Sequence, residues 1–270
     1  VRFRHAPEVW STFPELTCGV LHATGITPAV DVAPRLARYA DTARARLAAG
    51  TEGGFPEIQA WRRAFARTGS PPTRYRCAAE SLLRRFRRDG ALPRLHPLVD
   101  LGNALSLGYA VPVAVLDLAR IAGDLTVRPA LGTETYLTLG GDEEHPDPGE
   151  LIFADAAGRA HSRRWTHRQS GASAVRAETA EVLVVIEAMH EGGAGTVPRM
   201  LGELAGALAE EWGAPARTAV LTPEAPTFAA PVLGTAGDLG VSRGGGAPDG
   251  RATGSTRAVR TAPADPARSR

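Results

Sequence analysis

At Pro112 the hydrophobic period of the chain changes, and that switch constrains the fold more than any other feature of the sequence. Before it, apolar residues recur every three or four positions; after it, they run or alternate in short stretches between turn residues. Leu36, Tyr39, Ala43 and Leu47 form one helical stripe, opened by a capping Asp31 and closed near Gly50. After the Gly53-Gly54-Phe55-Pro56 break, Ile58, Trp61 and Phe65 repeat the spacing, with Gly69 beyond the end. A third helix is predicted over 77–88, with Leu82, Leu83 and Phe86 inward and arginines outward, and a fourth over 96–109. One strand, 16–23, precedes these helices. Beyond Pro112 the segments 113–118, 125–130, 135–139, 150–154, 160–169 and 181–189 read as strands, the last of them buried. The stretch 140–149 reads as a solvated loop, and a helix over 197–212 leads to a strand at 218–221. Helices first and strands later predict an α+β (mixed α/β) fold. In it, helices of the N-terminal half pack on a mostly antiparallel or mixed sheet from the C-terminal half.

At 270 residues and 28.3 kDa the chain can bury a substantial core without disulfides or a structural metal. Residues 1–233 read as one folded domain. Residues 234–270 hold eight glycines, six arginines, three prolines and no aromatic residue, and read as a disordered tail. No apolar run approaches the roughly 20 residues of a membrane span, and the first residues lack a signal-peptide core, so the chain reads as soluble and cytoplasmic. Cys18 and Cys77 stand alone, which argues against a disulfide framework and a thiolate zinc site. Without lysine a P-loop lacks its ammonium, and GxSxG and HExxH are absent. No metal or other cofactor is expected. The formal charge is +2, all basic side chains being arginine, but its distribution is uneven. Ten arginines between Arg62 and Arg94 face only Glu80 and Asp89, a local balance of +8.

The order of several short motifs is more specific. Glu80-Ser81-Leu82-Leu83-Arg84-Arg85 is followed by Leu92-Pro93, His96-Pro97-Leu98-Val99-Asp100-Leu101-Gly102-Asn103 and Pro112. Then come Val127-Arg128-Pro129-Ala130, Glu134, Pro148-Gly149-Glu150, Asp155 and Trp165-Thr166-His167-Arg168-Gln169-Ser170. This series resembles the B3/B4 module of the phenylalanyl-tRNA synthetase beta chain, and most of all the free-standing proteins of that family. The resemblance spans about 13–221. It departs at Ala114, where the synthetase motif carries a histidine two positions after the matched proline. The glycine-glycine-glutamate stretch of the synthetase's amino-acid pocket also has no clear counterpart near 167–171.

The resemblance implies a domain that binds the aminoacylated end of tRNA and hydrolyses a wrongly attached amino acid, here acting in trans, and not an aminoacylating ligase; a monomer is the default expectation. An aminoacyl ester is already reactive, so such a site need mainly position a water and stabilise an oxyanion. Asn103, Glu134, Arg168 and Gln169 are the candidate catalytic residues, expected to converge on one concave site that admits the charged 3′ terminus. Arg84, Arg85, Arg87 and Arg88 are candidate phosphate contacts, and Trp165 a candidate stacking platform for a base. Capping of a helix explains Asp100 or Asn103 equally well. Two other readings stay open: a noncatalytic tRNA-binding module, and an enzyme using aminoacyl-tRNA or an amino-acid derivative in a specialised pathway.

Overall fold

The computed structural model describes residues 1–230; the tail read over 234–270 lies outside them. In chain order the elements are β1 (Arg2–His5), α1 (Pro7–Thr12), β2 (Thr17–Thr24), α2 (Ala33–Ala49), α3 (Pro56–Arg67), α4 (Ala78–Asp89) and α5 (Pro97–Tyr109). There follow β3 (Val113–Asp117), β4 (Leu125–Pro129), β5 (Tyr136–Leu137), β6 (Glu143–Glu144), β7 (Leu151–Ala154), β8 (Ser162–Arg163) and β9 (Arg168–Gln169). The described part ends with β10 (Glu181–Ala188), α6 (Gly193–Trp212), β11 (Ala216–Leu221) and β12 (Thr227–Ala229). The class is mixed α+β, as the change of period predicts.

The strands form two four-stranded sheets, β11-β2-β10-β3 and β12-β1-β4-β7, and two short hairpins, β5-β6 and β8-β9. The first sheet is antiparallel throughout; in the second, β1 and β4 run parallel. Strand β10 is central and buried, and its side chains divide by the two-residue period. Val182, Val184 and Ile186 pack with Leu98 and Leu101 of α5 and with Met200 and Leu204 of α6. Leu183 and Val185 point the other way and share a second apolar cluster with Phe3, Val127 and Phe153 of the other sheet and with Trp61 and Trp165. Each such fully buried side chain stabilises the fold by roughly 1.5–3 kcal/mol. Glu187 continues the Leu183–Val185 row, so the period carries a carboxylate into the apolar layer, where it is 2% exposed.

The helices start and stop where local chemistry requires. Asp31 accepts the Ala33 N–H at 2.9 Å ahead of α2, and Pro56 and Pro97 open α3 and α5, where a missing N–H costs nothing. Helix α4 ends at Gly90, left-handed at φ 76°, a conformation glycine adopts without strain. At Gly19 of β2 a Cβ would stand 2.5 Å from Val197 Cγ1, so the bare backbone is what lets α6 lie close on the sheet.

Several sequence expectations change. Residues 160–169 are not one strand but the β8-β9 hairpin, because Arg164 and Trp165 turn left-handed (φ 46° and 58°). The stretch 140–149 contains β6, paired to β5. Strand β1, helix α1 and strand β12 are too short to show a period, and β1 exists because β4 and β12 flank it.

Candidate functional site

The β8-β9 hairpin is positioned by a buried ion network. Arg163 is 5% exposed and meets Glu150 in a fork, Nε to Oε1 at 2.7 Å and Nη2 to Oε2 at 2.8 Å. Its Nη1 reaches Glu144 at 2.8 Å, and Glu150 Oε1 also accepts the Arg164 N–H at 2.8 Å. Burial alone would raise the Glu150 pKa, but these donors outweigh it and hold the carboxyl below its ordinary value. At the turn, two non-glycine residues sit in a sparsely populated conformation. They are held there by the Trp165 N–H to Leu151 O bond (2.6 Å) and by the Trp165 indole, which donates to Glu187 at 2.8 Å.

A cavity of about 50 Å³ lies beside this turn. Its walls come from Ala114 of β3 and Pro112 just ahead of it, Val185 and Glu187 of β10, Phe153 of β7 and the hairpin segment His161, Trp165, His167, Arg168 and Gln169. That volume holds roughly three to five waters. Gln169 is oriented by its amide, which donates to Val115 O at 2.7 Å. Arg168, the exposed member, pairs with Glu144 at 2.6 Å and lies 5.4 Å from the centre of the Tyr136 ring. Ala114, where the synthetase motif has a histidine, is on this wall. His161, 0% exposed, borders the cavity too, its ring buried with Nε2 3.1 Å from Asp155 Oδ2 and Nδ1 without a hydrogen-bond partner. Burial lowers its pKa against the opposing pull of Asp155. The His167 pKa is lowered by burial as well, although its Nδ1 lies 2.7 Å from Arg76 O.

The candidate catalytic residues do not converge. Arg168 and Gln169 share the cavity; Asn103 and Glu134 do not. Asn103 lines a separate hollow of about 390 Å³ between α2, α5 and the 90–94 loop, walled mostly by apolar side chains. Its neighbour Asp100 accepts the Leu95 N–H at 2.9 Å, ahead of the helix, while the cap of α5 is His96, whose Nδ1 accepts the Leu98 N–H at 3.2 Å. Glu134 is 2% exposed and closes a turn, taking the Leu131 and Gly132 N–H groups at 3.0 Å and Arg128 at 2.5 Å. Burial alone would raise its pKa, but these donors keep the carboxyl below its usual range. Trp165 is not available as a stacking platform. It is 1% exposed, packed edge-on against Phe13 and Trp61 at 4.9 and 5.1 Å, because its turn drives the ring inward onto Glu187.

The four arginines of α4 are exposed but not bare. Arg84 and Arg87 each lie 3.4 Å from the buried Glu52, and Arg85 and Arg88 flank Asp89 at 3.6 and 2.6 Å. A second basic group was not legible in the sequence. Tyr75 carries Arg164 over its ring at 4.0 Å and Arg74 at 5.1 Å, and meets the edge of His167 at 5.3 Å. No local motif joins residues 74 and 164; they meet because the 71–78 segment runs along the hairpin, with Ala78 N donating to Thr166 O at 2.7 Å.

One cluster has metal-ligand chemistry. Ligand atoms of His5, Cys18 and Glu187 lie within 4.8 Å of one another, all buried. Hydrogen bonds already engage two of them: Glu187 Oε1 lies 2.6 Å from His5 Nε2 and takes the Trp165 indole at 2.8 Å. The Cys18 thiol is pushed well up in pKa by burial and then by Glu187, which disfavours the thiolate a metal needs.

Fold and site together define a mixed α+β domain with a small, partly polar cavity set between two sheets. Residues 60–193 match the B3/4 domain family. Over that stretch the chain resembles a B3/4 domain and is similar to the phenylalanine–tRNA ligase beta subunit. The beta subunit of Novosphingobium aromaticivorans is 39% identical over 61 residues, 23% of this chain and 8% of the relative. That of Cereibacter sphaeroides is 36% identical over 73 residues, 27% and 9% of the respective chains. The match thus spans less than a tenth of these relatives' length. A crystal structure of an N-terminal fragment of the phenylalanyl-tRNA synthetase beta subunit from Pyrococcus horikoshii superposes with TM-score 0.43 and 12% identity, covering 80% of this chain and 49% of that one. Among the described residues no helix is long and apolar enough to cross a membrane.

Proposed function

We propose that this protein binds the aminoacylated 3′ end of tRNA and hydrolyses the ester of a wrongly attached amino acid in trans. The observation that carries the reading is the cavity inside the B3/4 segment, bounded by a fixed Gln169 and a solvent-facing Arg168. With room for roughly three to five waters, it receives the amino-acid end of the substrate and not the adenosine. The terminal nucleotides then lie outside, where the exposed Arg74 and the half-buried Tyr75 stand next to His167, and where Arg164, 4.0 Å over the Tyr75 ring, is held by Asp147 at 3.1 Å. Arg168 at the rim is placed for the ester or the last phosphate. The α4 arginines supply a further, longer-range attraction for the acceptor stem, weakened by Glu52 and Asp89. Asn103 and Glu134 do not line this cavity.

A second reading, noncatalytic capture of charged tRNA, is favoured by the small size of the cavity and by the exposed arginines of α4. One experiment separates the two. The protein is incubated with tRNAs each charged with one labelled amino acid, and ester loss is followed beside filter binding at several salt concentrations. Accelerated loss of one mischarged species, reduced at least tenfold by Arg168→Ala, is the expected result. Salt-sensitive binding without ester loss leaves the capture reading. Absence of both at moderate salt refutes the two together.

A further inference from the structure

The cavity beside the hairpin has a size and a lining that select among amino acids. It meets the surface through the exposed Arg168 and the half-buried Ala78, Val113, Ala114, Thr166 and Gln169, so a side chain enters there without unpacking the core. Behind that mouth the floor is apolar: Leu116, Phe153 and Val185 are 1%, 2% and 1% exposed. Ala114 and Val185 are cross-strand partners on β3 and β10, with Cβ atoms about 5 Å apart in such a pair, and both line the hollow. Glu187, the carboxylate on the wall, takes the Trp165 indole at 2.8 Å and lies 2.6 Å from His5 Nε2, so it offers an incoming charge no free partner. A charged side chain buried there would go unpaired, which is costly.

The walls are also fixed. Ala114 and Val185 belong to a four-stranded sheet, Gln169 is tied to Val115 O at 2.7 Å, and the Arg163–Glu150 fork holds the hairpin. Walls packed in this way do not widen without strain. Volume then decides what enters. Benzene, with its six carbons, occupies a cavity of about 150 Å³. The hollow of about 50 Å³ is a third of that and takes roughly two to three carbons, which are bulkier than waters. The methyl of alanine and the isopropyl of valine fit; the benzyl of phenylalanine and the hydroxybenzyl of tyrosine do not.

We infer that the pocket selects aminoacyl esters with small uncharged side chains, alanine to valine in size, and excludes aromatic ones. The inference rests on the reading above in which the cavity receives the amino-acid end of charged tRNA.

The test uses the full chain and the tRNA it binds most tightly, charged in turn with alanine, valine, phenylalanine and tyrosine. Ester loss is measured against the spontaneous rate of each ester. The expected acceleration is greatest for alanine or valine and lower by about tenfold or more for the two aromatic esters, the least that one pocket methylene discriminates. An aromatic ester hydrolysed within threefold of the better small one, or faster, overturns the size class and leaves the deacylase reading standing. Loss of no ester overturns the deacylase reading. The size class is then decided by binding of stable amide-linked alanyl- and phenylalanyl-tRNA: alanyl tighter by about tenfold supports it, and equal affinity overturns it. Ala114→Leu, whose side chain fills the hollow, is expected to lose the alanine and valine activity at least tenfold with affinity for uncharged tRNA within twofold. A folded Ala114→Leu with wild-type rates on both small esters overturns the placement of the side chain in this cavity.

Discussion

Replacing Arg163 by methionine removes the guanidinium that holds the hairpin and keeps the aliphatic bulk. Glu150 would lose the two fork bonds at 2.7 and 2.8 Å and keep the Arg164 N–H at 2.8 Å and, more weakly, the Arg164 guanidinium at 3.5 Å and the Asp147 N–H at 3.4 Å. It is 8% exposed, so the carboxylate, left with its weaker partner, cannot recover its hydration. Breaking a buried pair from one side costs about 3–5 kcal/mol. With a urea slope near 3 kcal/mol per molar, the midpoint falls by roughly 1–2 M. The pH dependence follows from the direction of the Glu150 shift. In the wild type its folded pKa lies below the unfolded value, so the contribution is present above the unfolded pKa and lost as pH falls through the folded one. In Arg163→Met burial acts without its main opponent and the folded pKa rises. The variant is then penalised most at neutral pH and relieved as Glu150 protonates. Urea melts followed by tryptophan fluorescence at pH 7.5 and 4.5 check this, since Trp165 sits two residues away. A loss below about 1 kcal/mol at pH 7.5, well under the range for breaking a buried pair, or a loss equal at both pH values, refutes the reasoning.

The Asp155 pKa is brought down to about 2: burial alone would raise it, but the backbone N–H groups of Arg159 and Ala122 and the His161 and Arg159 side chains outweigh that. Its contribution, about 2–3 kcal/mol at neutral pH, is therefore present above pH 4 and lost as pH falls through 2. The stability gap between the wild type and Asp155→Asn should hold from pH 7 to about pH 5 and narrow below about pH 4, and a gap that narrows above pH 5 or widens in acid contradicts it. Gly19→Ala places a methyl 2.5 Å from Val197 Cγ1 and 2.9 Å from Leu201 Cδ1. It should destabilise by about 1–3 kcal/mol in a denaturant titration, and Gly19→Ala with Val197→Ala should recover part of that loss.

The chain's local periods were enough to assign the helices α2 to α6 and the strands β2, β3, β4, β7, β10 and β11, because amphipathic spacing is written into neighbouring residues. The pairing of Arg168 with Gln169 on one site was likewise legible, since the two are adjacent and follow an aromatic residue. What a polar side chain does once placed depends on long-range burial, which no local window contains. Glu134, a candidate catalytic residue, is consumed by its own turn and Arg128; Trp165, a candidate stacking platform, faces Glu187 in the core. His161 showed no helical or metal spacing and drew no role, yet a turn at 155–159 brings it back onto Asp155 while the strand order sets Ala114 and Glu187 around the same hollow. The sequence alone therefore determined which segments are helices and strands and where basic charge accumulates. Tertiary structure decided which polar groups are buried, paired or left without a partner, because those outcomes depend on residues far away along the chain.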